Sequence, residues 1–223
     1  EGYRNLIKLV SAGYTEGFYY KPRIDKDLLA QHAGGLIGLS SCLKGEVAES
    51  LAHDQDRKAI EAAAAYRDIL GPGNFFLEMQ WHGIEEQRRV NRGLPVLARD
   101  LRLPLVCTND VHYLRESDAH AHDVLLCIGT AKALSDPKRL RYEATQFFLK
   151  TADEMASAFS EYPDALANTL RIAELGWPST STSSRSFARA SNGGSLASNS
   201  WRRWAPWVTR SMNTSVACRT KST

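Results

Sequence analysis

The sequence predicts an α/β fold built on a parallel sheet, in a chain of 223 residues. Three short apolar runs, at residues 36–40, 75–79 and 104–108, have the composition of strands that are buried on both faces. Segments of helical periodicity separate these runs. Because strand and helix alternate, we expect parallel strands joined by right-handed crossovers. Functional side chains of such folds gather where the strands end, at their carboxyl side.

The helices are predicted from their apolar faces and stop signals, at residues 3–13, 25–32, 46–70, 84–101, 117–129 and around 155–159 and 165–173. Leu6, Ile7 and Val10 share a face of the first helix, and Gly13 is its expected stop. The 46–70 helix is expected to break near residues 53–54 and to end at Gly71. Pro95 lies inside the 84–101 segment and predicts a kink or a split.

The overall composition excludes several classes of protein. Hydrophobic residues make up 43% and charged residues 24%, as in ordinary globular proteins. No apolar stretch of about 18 residues exists, so we expect no membrane span. The four cysteines show no close pairing, which argues against a disulfide framework and favours a reducing cytosol. The start lacks both Met and a signal-peptide pattern and is typical of the interior of a longer chain.

Residues 178–223 differ sharply from residues 1–177, and we place a boundary between them. All 25 acidic residues precede Pro178, and the seven basic residues after it give this tail +7 against −4 for the body. Ser and Thr make up 18 of its 46 residues. We expect the tail to be unstructured, because such a composition buries too little apolar surface. A nucleic-acid-binding arm, a solvated tail and translation in a wrong frame remain open; the last is our preferred interpretation.

Thiol, carboxylate and imidazole groups follow the three predicted strands. Cys42 comes after the first, and Asp110 and His112 after the third. These are donor types that bind zinc and related divalent ions. Asp110 and His112 are two residues apart, so both side chains point to one side of an extended chain. The pattern predicts Cys42, Asp110 and His112 as metal ligands, with Glu46 and His82 as neighbours that orient them.

Each candidate also has a purely structural interpretation. Cys42 is typical of a small buried side chain, and Asp110 of a turn or a cap. Glu46 suits the first turn of a helix, where the dipole favours a carboxylate. His112 is also consistent with a hydrogen-bonded structural histidine, and His82 with a turn before glycine.

Four further residues are not expected to be ligands. Cys107 and Cys127 lie in apolar segments and are predicted to be core residues. His120 and His122 are two apart on a predicted helix, so they face different sides and do not chelate one ion.

Five stretches together resemble a known family. They are residues 2–6, 38–46, 83–87, 108–113 and 135–137 with Arg139. They resemble the N-terminal PHP (polymerase and histidinol phosphatase) domain in the alpha subunits of bacterial replicative C-family DNA polymerases, DNA polymerase III. The resemblance spans most of residues 1–176 and includes no residue of the tail.

The resemblance implies a distorted β/α barrel with metal ions at the rim where the strands end. Cys42 corresponds to the family's cysteine ligand, and Asp110 and His112 to its final Asp-x-His pair. The family's other ligands come earlier: a His-x-His pair, an aspartate, further histidines and a glutamate. We therefore expect the C-terminal portion of a PHP barrel, truncated at its N-terminus, with a disordered tail. Trp81, where a small polar or acidic residue is expected, and Pro95 depart from the family pattern.

The resemblance also implies an activity for the whole protein. That activity is DNA-templated DNA synthesis in the cytoplasm, with DNA, dNTPs and other replisome subunits as partners and no membrane. The PHP domain would be a 3′–5′ exonuclease that uses zinc or manganese, and magnesium would bind in a polymerase palm outside this sequence. A structural PHP module without hydrolysis and a stand-alone PHP phosphoesterase are the alternatives. We expect this chain alone neither to extend a primer nor to trim a DNA end.

Overall fold

The computed structural model describes residues 1–142 and 144–176. The expected tail, residues 178–223, lies outside the described residues, and so does the boundary near residue 177. The described chain divides into two compact units. One consists of residues 1–37 with residues 170–176, and the other of residues 38–169.

The first unit contains α1 (Gly2–Thr15) and α2 (Lys26–Gln31). The prediction that Gly13 ends α1 is wrong, because the N–H of Glu16 still donates to the carbonyl of Ala12 at 2.9 Å. The helical ladder therefore continues past Gly13. The carboxylate of Asp25 accepts a 2.8 Å hydrogen bond from the N–H of Leu28 and caps α2.

The remaining elements run in chain order: β1 (Gly38–Leu39), α3 (Glu46–Ala52), α4 (Asp56–Leu70), β2 (Phe75–Met79), α5 (Glu85–Leu101), β3 (Leu105–Cys107), a 3₁₀ turn (Glu116–Asp118), α6 (Ala119–Thr130), α7 (Ala152–Ala158) and α8 (Pro163–Gly176). The predicted break between α3 and α4 is confirmed. Gly71, with φ of +81°, follows the end of α4 as expected.

The sheet has the order β1–β2–β3, and both pairs are parallel, as predicted. Gly38 pairs with Phe75, and Leu77 pairs with Leu105. β1 has only two residues and is shorter than the predicted 36–40 run. Over the described residues the sheet is open rather than closed into a barrel.

The sheet packs against α4 and α5, and α3 packs on these two helices. Phe76 and Leu77 of β2 and Leu94 of α5 are fully buried. Burial of each such side chain stabilises the fold by roughly 1.5–3 kcal/mol. Pro95 does not split α5, which is one helix through that residue, and the kink at Pro95 stays a prediction. The free energy gained by burying one face of α5 offsets the cost of the backbone hydrogen bond that proline removes, which is about 3 kcal/mol.

Candidate functional site

Residues that follow all three strands meet at the half-buried carboxylate of Glu78. The Glu78 carboxylate accepts hydrogen bonds from the Thr108 hydroxyl and, at 3.1 Å, from the Gln80 amide. The Ser41 backbone also bonds to it, while the Glu78 N–H donates to the Ser40 hydroxyl at 2.8 Å. The strand ends therefore share one rim, as parallel pairing requires.

Burial raises the pKa of Glu78, and its hydrogen bonds only partly oppose that effect. Sequence analysis did not select this residue as part of the site. The sequence does contain a sign of its role, because Glu78 is an acidic side chain inside the otherwise apolar 75–79 run. A carboxylate that is removed from water needs hydrogen-bond partners.

The carboxylate of Asp110 lies between two imidazoles. Its Oδ1 is 3.4 Å from Nε2 of His112, and its Oδ2 is 3.3 Å from Nε2 of His82. Burial opposes ionisation of Asp110, but its contacts with His112 and His82 outweigh that effect. The pKa of Asp110 therefore lies well below its ordinary value, and the group is an anion at neutral pH. Its φ of +50° places the backbone in the left-handed region.

His82 is almost completely buried, with 3% of its side chain exposed. Neither ring nitrogen has a hydrogen-bond partner among the described residues, so the contact with Asp110 has an ion-pair distance without hydrogen-bond geometry. The ring stacks on Phe147 with centroids 4.4 Å apart. Gly83 follows with φ of +78°, so His82 both precedes a turn and faces the candidate ligand Asp110.

Three aromatic rings pack around the side chain of His112. Its ring centroid lies 5.0 Å from Tyr142, 5.3 Å from Phe147 and 5.6 Å from His122. The His112 N–H donates to the Phe147 carbonyl at 2.8 Å, which ties this later segment to the rim. Burial raises the pKa of Tyr142, and the charges of Asp110 and Cys42 raise it further. Sequence spacing gave no signal for Tyr142 or Phe147, because tertiary contacts alone bring them to the site.

Cys42 is half-buried in the tight loop between β1 and α3. The Ser41 hydroxyl lies 4.0 Å from its sulfur, and the Gly45 N–H donates to the Cys42 carbonyl at 2.8 Å. A Cβ on Gly45 would lie 2.2 Å from the Ser40 carbonyl oxygen. The loop that presents Cys42 therefore requires glycine at position 45.

Glu46 lies in the first turn of α3, and its carboxylate accepts a 2.9 Å hydrogen bond from the Tyr66 hydroxyl on α4. This contact connects α3 with α4. The helix-start interpretation of Glu46 is consistent with this geometry.

Cys107 and Cys127 are core residues, and His120 and His122 face different sides of their helix, as predicted. Cys107 and Cys127 are buried, and burial raises the pKa of the Cys107 thiol to about 12. His120 and His122 both lie on α6; the His122 ring faces His112 and Tyr113, whereas His120 is exposed.

The donor chemistry fits a zinc-like divalent ion, since a thiol, an ionised carboxylate and an imidazole lie at one end of the unit. Buried His82, beside Asp110, adds two ring nitrogens that have no hydrogen-bond partner among the described residues. Among residues 1–142 and 144–176, no group of three or more His, Cys, Asp or Glu side chains is already arranged around one ion. The structure joins Asp110 with His112; the participation of Cys42 remains a prediction. No helix in the described part of the chain has the length and apolar character of a membrane span.

Comparison with known proteins gives two findings. Residues 1–82 match the PHP domain family, a range that contains Cys42 and His82 and ends before Asp110. The chain is 51% identical over 173 residues to the DNA polymerase III subunit alpha of Treponema pallidum. It is 46% identical over 175 residues to that of Mycobacterium tuberculosis and 43% over 178 residues to that of Thermus aquaticus.

These alignments cover 78% of the chain but only 14–15% of each relative, so the chain spans about 15% of the length of the relatives that it matches. The chain is thus similar to one stretch of the DNA polymerase III alpha subunits, and its first 82 residues match the PHP domain family.

Proposed function

We propose that residues 38–169 contribute a divalent-metal centre to the PHP domain of a replicative DNA polymerase. In this proposal they form the C-terminal portion of a distorted β/α barrel. The observation that carries the proposal is the placement of Asp110 between His82 and His112, at the rim shared by three parallel strands. The similarity to DNA polymerase III alpha subunits supplies the biological setting, DNA replication.

The residues of this chain have distinct roles in the proposed centre. Cys42, Asp110 and His112 would hold the ion, and His82 would orient the carboxylate of Asp110. The low pKa of Asp110 keeps it ionised, as a ligand requires. A bound zinc or manganese ion supplies Lewis acidity toward a phosphate ester, which suits a 3′–5′ exonuclease in the parent protein.

We propose polymerase activity only for the longer parent protein. There we expect nucleotide transfer to DNA with dNTPs and palm-bound magnesium, replisome subunits as partners, and a cytoplasmic location. We propose that the 223-residue chain alone neither extends a primer nor trims a 3′ end, because three ligands are fewer than a two-metal hydrolytic site requires. Metal-dependent cleavage of a labelled oligonucleotide that Asp110→Ala abolishes would contradict this.

A structural module without hydrolysis is the second candidate. The observation that favours it is that both carboxylate oxygens of Asp110 already have an imidazole neighbour within the protein. Under this proposal the cluster stabilises the loop after β3, and Asp110 binds no ion.

Isothermal titration calorimetry of the 223-residue chain with zinc and with manganese separates the two candidates. The metal-centre proposal predicts that Asp110→Asn weakens binding about tenfold or more. The matched control is Asp136→Asn, which removes a carboxylate paired with Lys132 at 3.1 Å. Equal affinity for the two variants would favour the structural module.

A further inference from the structure

An open cleft of about 400 Å³ lies beside the candidate metal site. Its lining consists of Ala119, His120, Asp123, Arg139, Arg141 and Tyr142. Tyr142 belongs to the cleft and also lies next to the candidate metal site, because its ring centroid is 5.0 Å from that of His112. A molecule in the cleft would therefore lie next to the ring of a proposed ligand.

The charged groups of the cleft do not cancel. Asp123 forms a short ion pair with Arg139, whose side chain is only 12% exposed. The Nε of Arg139 donates to the Leu134 carbonyl at 3.0 Å, so Arg139 is fixed in the wall. Arg141 is exposed and lines the same cleft. Two arginines against one aspartate leave a net positive charge, and Arg141 is the one not paired with Asp123.

The chemistry of the cleft suits a phosphate that carries a base. A guanidinium presents several N–H donors to phosphate oxygens, while an exposed aromatic ring accepts a stacked nucleobase. Tyr142 is 40% exposed, so part of its ring is free to stack. Its inner side packs on Phe147, with centroids 4.7 Å apart, which holds the ring in place.

We propose that this cleft binds one nucleotide of a single-stranded DNA, with Arg141 contacting the phosphate and the Tyr142 ring stacking on the base. The inference rests on the proposed function, since the strand in the cleft is the one that the adjacent centre would hydrolyse. Arg139 shapes the cleft and keeps Asp123 from repelling the phosphate.

The test is fluorescence anisotropy of a labelled oligothymidine with the full 223-residue chain in EDTA, which removes metal-dependent contacts and hydrolysis. Arg141→Ala is compared with Arg57→Ala, a matched loss of charge at a side chain on α4 that is 92% exposed. Basic residues elsewhere in the chain are present in both variants and contribute equally.

We expect Arg141→Ala to weaken binding about tenfold at low salt relative to Arg57→Ala. The slope of log affinity against log salt should fall by about 0.7, the value of one phosphate contact on a single strand. Tyr142→Leu should weaken binding by a similar factor, and Tyr142→Phe should restore it. Equal affinities and slopes for Arg141→Ala and Arg57→Ala, or no binding by the unaltered chain, would overturn the proposal.

Inorganic phosphate is the competitor that identifies the ligand. Displacement of the oligonucleotide only at large excess supports a strand held by both phosphate and base, whereas displacement by equimolar phosphate contradicts it. The proposed metal centre fails independently, through unchanged zinc affinity in Asp110→Asn, because anisotropy in EDTA involves no metal.

Discussion

Nε2 of the buried His82 lies 3.3 Å from Oδ2 of Asp110, across 28 positions of the chain. The two residues follow neighbouring strands, β2 and β3, whose parallel register brings their ends to one rim. His82 thus lies against one carboxylate oxygen of Asp110, and His112 lies 3.4 Å from the other. Outer partners of this kind orient metal ligands.

His82→Leu should lower the affinity of the chain for zinc by about 10–100-fold, because Asp110 loses its support. The unfolding free energy should change by less than about 1 kcal/mol, since the substitution also removes two buried nitrogens that lack hydrogen-bond partners. Calorimetry and urea unfolding measure the two effects. His53→Leu, at the exposed end of α3, is the control. Unchanged zinc affinity in His82→Leu would remove His82 from the site.

Glu78 should contribute more to the stability of the protein as the pH falls through its raised folded-state pKa toward the unfolded value of about 4.3. Burial raises its pKa in the folded state, so the folded chain binds a proton more readily than the unfolded chain, whose Glu pKa is about 4.3. The gain begins as pH falls through the folded pKa and is complete below the unfolded value. The lowered pKa of Asp110 acts in the opposite direction and only at lower pH.

Urea unfolding at a series of pH values from 7 down to about 4, just below the unfolded Glu pKa, measures this dependence. Glu78→Gln should flatten the curve, whereas Asp68→Asn, which changes an exposed carboxylate beside Arg67, should leave its shape intact. A curve that keeps its slope in Glu78→Gln would assign the dependence to another group.

Gly45→Ala and Gly129→Ala should have opposite effects on stability. A Cβ at position 45 would meet the Ser40 carbonyl oxygen at 2.2 Å, so the loop that presents Cys42 must move. No atom lies within 4 Å of a Cβ at Gly129 in α6, and alanine there should stabilise the helix by roughly 0.5–1 kcal/mol. Thermal unfolding measures both, and a Gly45→Ala variant as stable as the unaltered chain would disprove this loop geometry.

Cys42 should react with iodoacetamide faster than Cys107 in the folded chain at pH 8. Cys42 is half-buried, whereas Cys107 is buried and its thiol has a pKa of about 12, so almost none of it is the reactive thiolate. Peptide mass spectrometry follows each cysteine separately. In denaturant the two rates should become similar; a fast Cys107 in the folded chain would contradict the burial of β3.

Sequence analysis predicted the elements that depend on local pattern and the rim that depends on parallel pairing. The 75–79 strand coincides with β2 because its largely apolar run is bounded by turn residues. α5 continues through Pro95 rather than splitting there, because the packing of α5 outweighs the local penalty of proline. Tyr142 and Phe147 reach the site, and Ser41 and Thr108 reach Glu78, through contacts between distant segments that no local spacing encodes.

The measurement that tests the metal centre most directly is the absorption spectrum of the chain titrated with Co²⁺, which substitutes for zinc in thiolate sites. The account predicts a sulfur-to-cobalt charge-transfer band that Cys42→Ser abolishes and Asp110→Asn weakens, while Cys127→Ser, at a buried core thiol, leaves it intact. A band that persists unchanged in Cys42→Ser, or no band in the unaltered chain, would contradict a centre built on Cys42, Asp110 and His112.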